Sequence, residues 1–327
     1  MSRAAPRVGL VLGAGGVSGG AFHAGVLAAI EEVTGWDPRE AAIIVGTSAG
    51  SVAGTSLRAG LSAADAMARA EGRPMSAQGT QLMRAVGPPA RPPLQRAAPT
   101  ARHPAEVAAA LARAAARPFA AAPWALVASL MPGGSISTEF ISGAIAGLFA
   151  THWPDRQLWV CSVRQSDGQR VVFGHDPAAR PPLPLAVAAS CAIPGFYEPV
   201  MISGESYIDG GAHSPTNADV LVDSVSDLDL VLVSSPMSLA GRRPGGFGSG
   251  QVVRSWAGAL LDTEALGLRR RGMAVVAFQP TADDVGVMGD NAMDADRRPA
   301  VARQVYESTR HRLERADTRA RLAVLFD

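Results

Sequence analysis

Near its start the chain carries an unbroken apolar run, "RVGLVLG" (7–13), with no alternation of apolar and polar positions. A short run of this kind, ended by glycine, predicts a strand buried on both faces. Residues 19–33, "GGAFHAGVLAAIEEV", then space their apolar side chains as a helix does, "AAIIVG" (41–46) predicts a second strand, and "SAGSVAGTSLRAG" (48–60) a helix stopped by Gly60. Strand, helix, strand, helix is the rhythm of a parallel sheet covered by helices. Further strands are predicted at "LWVCSVR" (158–164), "RVVFG" (170–174), "EPVMI" (198–202), "SYIDG" (206–210), "LDLVLVSS" (228–235) and "MAVVAF" (273–278). Helices are predicted over 138–149, 183–191, 250–271 and, as one long polar helix, from about 299 to 325.

Residues 71–104 break the pattern with dense Pro, Gly and Arg, which predicts an irregular excursion. The strands that follow are too few and too mixed for a second core. The excursion therefore reads as an insertion of about 71–131, continuing through Ala-rich helices and capping the sheet. The expected organisation is one catalytic unit over 8–218, with 219–327 as the C-terminal part of the same α/β unit. No repeat at solenoid periods is present.

Composition narrows the function classes. With 47% apolar residues in 327, the chain can bury a large core. The net charge of +1 supplies no bulk field for nucleic acid, so no nucleic-acid partner is expected. All 30 basic residues are Arg, and Arg269, Arg270 and Arg271 read as a solvated helix end. Cys161 and Cys191 stand in no metal spacing and read as buried free thiols of a reducing compartment. The early arginines and apolar run lead into a glycine loop without a cleavage-like end, which argues against a signal peptide. The most apolar window, 41–59, is interrupted by Thr47, Ser48, Ser51, Thr55, Ser56 and Arg58, so no membrane span is expected. The expected location is cytoplasmic, with peripheral membrane contact.

Candidate chemistry begins at "GTSAG" (46–50), a Gly-x-Ser-x-Gly between a predicted strand and helix. Gly46 and Gly50 clear a tight turn, and the helix start aims backbone donors and a positive dipole end at Ser48. Taken alone, Ser48 serves equally well as a helix cap. The stretch "LGAGGVSGG" (12–20) lets backbone amides converge on a phosphate or an oxyanion. A Walker-type phosphate loop requires a lysine that the chain lacks, and a dinucleotide fingerprint starting at Gly13 requires glycine where Ser18 stands. In "YIDGGAHSPTN" (207–217) a strand delivers Asp209 to a glycine turn.

These motifs, with "ASCAIPGF" (189–196) between them, stand in an order that resembles the patatin-like phospholipases over roughly residues 8–218. The resemblance implies a three-layer α/β/α sandwich with a mostly parallel central sheet, here with a helical and Pro-rich insertion. It implies a serine acyl hydrolase of lipid degradation, acting on lipid esters through an acyl-serine. Ser48 is implied as nucleophile and Asp209 as base. Gly15, Gly16 and Val17 are implied as the oxyanion hole, with Gly13, Gly19, Gly46, Gly50, Gly210 and Gly211 completing the motifs. Neither metal nor cofactor is implied. Two positions depart from the family pattern: Ala14 stands where glycine is usual, and Ser18 where Arg or Lys is frequent.

A Ser-His-Asp triad is the rival machinery, with His213 or the polar-helix His311 as base. His213 is too close in sequence to Asp209 to bridge it to Ser48 easily, and His23 reads as a helix residue packed beneath the glycine loop. Asp219, Asp223, Asp227 and Asp229 fit no metal loop and read as solvated turn carboxylates. A catalytically weak relative that binds lipid or a partner is the other alternative.

Overall fold

The apolar runs become strands of one sheet in a computed structural model, which describes residues 6–87, 128, 130, 131, 133–222, 227–239 and 249–326. The strands are β1 (Val8–Leu12), β2 (Ile43–Thr47), β3 (Gln157–Arg164), β4 (Arg170–Phe173), β5 (Val200–Ile202), β6 (Glu205–Asp209), β7 (Leu230–Ser234) and β8 (Ala274–Phe278). The helices are α1 (Gly16–Thr34), α2 (Ala49–Arg58), α3 (Ala63–Glu71), α4 (Ala77–Val86), α5 (Glu139–Phe149), α6 (Leu183–Ser190), α7 (Ser249–Arg270), α8 (Ala282–Met288), α9 (Arg298–Glu314) and α10 (Ala316–Arg321).

Successive side chains of each strand enter different cores, so every residue of a central strand has to be apolar or small. Leu10 and Leu12 of β1, Ile44 of β2 and Leu230 and Leu232 of β7 enter one core, with α1, α2, α6 and α9 packed over it. Val11, Ile43, Val45, Val231 and Val233 enter the other, covered by Leu261, Ala265 and Leu268 of α7. This is the three-layer α/β/α sandwich.

Strands β1, β2, β3, β7 and β8 are parallel neighbours, and the chain works outward from β1 to β3 before returning to place β7 against the other side of β1. The ladder reverses at β1, and such a switch point opens a crevice at the C-terminal ends of the strands. The antiparallel strands fall around β3. Cys161 pairs with Thr47 on one side and Val172 on the other, while the next residue, Ser162, pairs with Val171 and Asp209. Strand β4 thus holds one flank of β3 from Val160 to Val163. On the opposite flank β6 takes over where β2 leaves off.

Three expectations are corrected. Residues 77–86 are the helix α4, not irregular chain: Ser76 caps its first turn by accepting from the Gly79 amide, and donates its own amide and hydroxyl to the buried Asp65 of α3. The terminal helix is broken, because Arg315 adopts an extended backbone and starts α10, a turn that lets Leu322 and Leu325 join the core. Helix α1 begins at Gly16, so the later glycines of 12–20 belong to its first turns. Residues 88–127 of the expected insertion lie outside the described residues, as does Asp223.

The glycines of this fold divide by what surrounds them. A Cβ on Gly50 would lie 1.9 Å from the Leu12 carbonyl oxygen, whereas one on Gly143, inside α5, would meet nothing within 4 Å. Gly50→Ala should lower unfolding free energy by roughly 3 kcal/mol in urea titration, and Gly143→Ala should raise it by about 0.5–1 kcal/mol through helix propensity.

Candidate active site

Ser48 follows β2 directly with φ 54° and ψ −121°, a conformation that costs a non-glycine residue about 1–3 kcal/mol. The flanking glycines make it attainable: a Cβ on Gly46 would lie 2.5 Å from Ser51 Cα, and Gly50 sits against the end of β1. A third residue holds the turn. Ser190, fully buried at the end of α6, accepts from the Ser48 amide at 2.9 Å and donates to the Cys161 carbonyl at 2.6 Å. One hydroxyl thereby ties the strained turn to β3.

The same strand positions Asp209. Its carboxylate accepts the Gly211 amide at 2.7 Å. Burial pushes the Asp209 carboxyl up to about 6, against the pull of the Ser48 hydroxyl and the Gly211 amide. Asn217, in the left-handed region at φ 52°, fixes the turn by donating to Ser214 O at 2.6 Å and Thr47 Oγ1 at 3.1 Å. Glu264, from α7, accepts from the Ser214 and Thr216 hydroxyls and the Ala218 amide, which anchors the rest of this loop.

The glycine loop assigns its amides selectively. Gly13 donates to Ser234 O, Ala14 to Pro215 O, Ser18 to Ala292 O and Gly19 to Gly15 O. Among the described residues the amides of Gly15, Gly16 and Val17 have no partner, and they lie at the positive end of α1. Such a cluster can receive an oxyanion. His23 braces the loop from below. Its Nε2 is 2.8 Å from Gly13 O, and a carbonyl only accepts, so Nε2 carries the hydrogen and Nδ1 accepts from the Ser234 hydroxyl at 2.8 Å. Burial pulls His23 down to about 4, so the ring is neutral near neutral pH.

Beside Ser48 opens a cavity of about 330 Å³ between α1, α2, α3 and α5, lined by apolar residues such as Leu27, Val52, Leu57, Ile141 and Ile193. Its volume and lining suit an acyl chain or similar apolar group.

Residues 10–222 match the family described as Patatin-like phospholipase. The chain belongs to the patatin-like phospholipase family. Membership supports lipid acyl hydrolase activity. No curated protein matches significantly. Among solved structures, VipD from Legionella pneumophila is similar at 12% identity and TM-score 0.45, over 96% of this chain and 67% of VipD. The type III effector protein ExoU is similar at 14% identity and TM-score 0.39, over 94% of this chain and 53% of ExoU. Both scores are too low for these likenesses to bear on the chemistry.

In this patatin-like chain both departures have room. Ala14 places its methyl 3.2 Å from where a Cβ on Gly211 would be, so the second glycine of the turn admits it. Ser18 is only 2% exposed, which leaves no space for a long cation. His213 stands beside Arg170 and Asp219, and burial followed by the Arg170 charge pulls it down to about 4; its Nδ1 has no hydrogen-bond partner. His311 is exposed on α9. Asp219 is no solvated turn carboxylate, since Arg170 binds it with both Nη atoms at 2.6 and 2.8 Å. Cys161 and Cys191 are buried and free, and no described helix is long and apolar enough to cross a membrane. Sequence reasoning missed Ser190, Asn217 and Glu264. Ser190 lay inside the quoted "ASCAIPGF", and a glutamate in the apolar stripe of α7 was the available signal for Glu264.

Two outcomes follow from these contacts. Ser190→Ala should slow fluorophosphonate labelling of Ser48 roughly tenfold or more while leaving KM for a short ester within twofold, because the turn loses its anchor and the cavity does not. His23 and His213 titrate lower folded than unfolded, so their contribution to stability is complete above pH 6.5 and is lost as pH falls towards 4. Thermal midpoints should drop across that window, and His23→Gln should remove about 3 kcal/mol of the drop.

Proposed function

We propose that this protein is a serine acyl hydrolase that cleaves carboxylic esters of lipids through a Ser48–Asp209 dyad. The observation that carries the reading is the placement of Ser48 and the buried Asp209 carboxylate by adjacent rungs of β3, beside an apolar cavity. A carboxylate with an ordinary pKa is a weak base towards an alcohol, and burial makes this one stronger.

In the proposed cycle ionised Asp209 takes the Ser48 proton as Oγ attacks the ester carbonyl. The oxyanion accepts from the amides of Gly15, Gly16 and Val17, each donor contributing on the order of 3 kcal/mol to lowering the barrier. Collapse expels the alcohol, which takes the proton from Asp209, and leaves an acyl-Ser48. Water, deprotonated by Asp209, attacks the acyl carbonyl, and collapse releases the acid as Asp209 returns the proton to Ser48 Oγ. Neutral His213 has no step in this cycle. Residues 8–218 would supply the machinery and 219–327 complete the same unit. The insertion would cap the cavity, because its described flanks contribute Val86 and Phe140 to the lining, and contact with a membrane surface would deliver the lipid.

Ser48→Ala should abolish both fluorophosphonate labelling and ester hydrolysis with an unchanged circular dichroism spectrum. Asp209→Asn should lose most activity and His213→Ala should keep it; a His213 variant as inactive as the Asp209 one would replace the dyad by a triad. Hydrolysis should rise with pH through about 6, where Asp209 ionises, and stay level above it. The same shift has a stability sign. The folded state holds the Asp209 proton more tightly than the unfolded chain, so ionisation costs about 3 kcal/mol at pH 8. Asp209→Asn should therefore raise the thermal midpoint at pH 8, and the gain should vanish below pH 4.

A further inference from the structure

A second cavity, of about 470 Å³, lies between α1, β8, α9 and α10 and shares no lining residue with the cavity beside Ser48. Phe22 of α1 and Val276 and Phe278 of β8 form its base, and its wall carries Arg312, Arg315 and Arg321. The break at Arg315 creates this arrangement. In one continuous helix, nine residues at about 3.6 per turn would put Arg321 roughly 180° round from Arg312. The extended backbone of Arg315 instead reorients α10, so that arginines from both helices and from the bend line one hollow.

Arg312 is half-buried, and among the described residues its guanidinium makes no hydrogen bond or ion pair; it lies over the Phe278 ring, 5.1 Å from the centroid. That contact uses the charge of the group and none of its five N–H donors. Withdrawal from water weighs most against its charged form, and repulsion from Arg315 comes next, ahead of attraction to Asp317. The two carboxylates of the wall are engaged elsewhere. Asp284 accepts from the Thr281 amide, Gln304 Nε2 and the Ser308 hydroxyl, and Asp317 accepts from Arg315 Nε at 3.1 Å. The Arg315–Asp317 pair is exposed, so it is weak and open to exchange. Three guanidinium groups against two carboxylates leave the wall positive.

We propose that Arg312, Arg315 and Arg321 form a binding site for the phosphate group of a small, soluble phosphomonoester. A doubly charged group whose oxygens accept from several guanidinium donors at once is the ligand that such a cluster selects. The volume admits a compact organic body as well as the phosphate. Phe22, Val276 and Phe278 are exposed by 3% or less, so the hollow offers no apolar trough for an alkyl chain. The site stands whether or not Ser48 is a nucleophile.

Calorimetric titration of the purified full chain with ribose 5-phosphate, ribose and inorganic phosphate tests it at pH 8, above the second phosphate pKa of about 6. Ribose 5-phosphate should bind at least about tenfold more tightly than ribose, the worth of one charge-assisted hydrogen bond, and inorganic phosphate should displace it. Arg312→Gln and Arg321→Gln should each weaken ribose 5-phosphate about tenfold, whereas Arg303→Gln, at an exposed arginine of α9 outside the cavity, should change it less than about twofold. Thermal midpoints without ligand report whether the variants are folded, and ribose 5-phosphate should raise the midpoint of the wild type but not of Arg312→Gln. An Arg312 variant that loses stability and keeps its affinity would reduce Arg312 to a support for Phe278 and overturn the site. Equal affinity for ribose 5-phosphate and ribose, or no saturable binding of either phosphate, would overturn it as well. Sedimentation with phosphatidate vesicles that is lost in the same variants, without uptake of ribose 5-phosphate, would replace the soluble ligand by a membrane surface.

Discussion

Two consecutive residues of one strand, Cys161 and Ser162, set the geometry on which the rest of the site depends. The first pairs with Thr47, the residue before Ser48, and the second with Asp209. Adjacent rungs of a ladder cannot drift apart, so a nucleophile candidate and a carboxylate 161 positions apart in the chain are held at neighbouring points on a common ruler. The carbonyl of Cys161 is used again: it accepts from Ser190, which grips the Ser48 amide. It also lies where a side chain on Gly210 would be, 2.3 Å from an added Cβ, so that glycine is required for Asp209 to come this close to β3. The close approach of backbone, not any single strong bond, joins the two halves of the site.

Such a site is costly to hold. Ser48 has a strained backbone, Asp209 is a carboxylate withdrawn from water, and Gly15, Gly16 and Val17 carry amides without partners among the described residues. Each raises the free energy of the native state by about 1–3 kcal/mol. The sheet offsets them with strands whose residues are buried on both faces, and Glu264 and His23 stiffen the two loops from outside the reacting groups. Both of these braces are buried, and the pKa of each is shifted in the direction that disfavours its charge. Their pH signs are opposite: His23 is held neutral and costs stability when acid protonates it, whereas Glu264 keeps its proton more tightly in the folded state and costs stability as rising pH ionises it.

The strands were legible because a doubly buried strand leaves a continuous apolar run, and every strand predicted from such runs is present. The glycines at 46, 50 and 210 were legible as motif positions, but the contacts that demand them lie in other elements and could not be read locally. Helix α4 was hidden by the Pro, Gly and Arg around it: its stability comes from Ser76 bonding to Asp65, a pairing across the loop between two helices. The break at Arg315 has no local breaker either, and follows from the burial of Leu322 and Leu325. Ser190 and Asn217 resemble ordinary polar loop residues in one dimension. Their roles exist only once β3, α6 and the turn after β6 are assembled.

The positive charge of the pocket follows the same logic. Position 18 opens the second turn-half of α1, where the Ala292 carbonyl covers its amide and the side chain is buried. A long cation there would have to displace that covering segment. Arg69 and Arg298 come instead from α3 and α9, two helices that pack against α1, and both line the cavity beside Ser48.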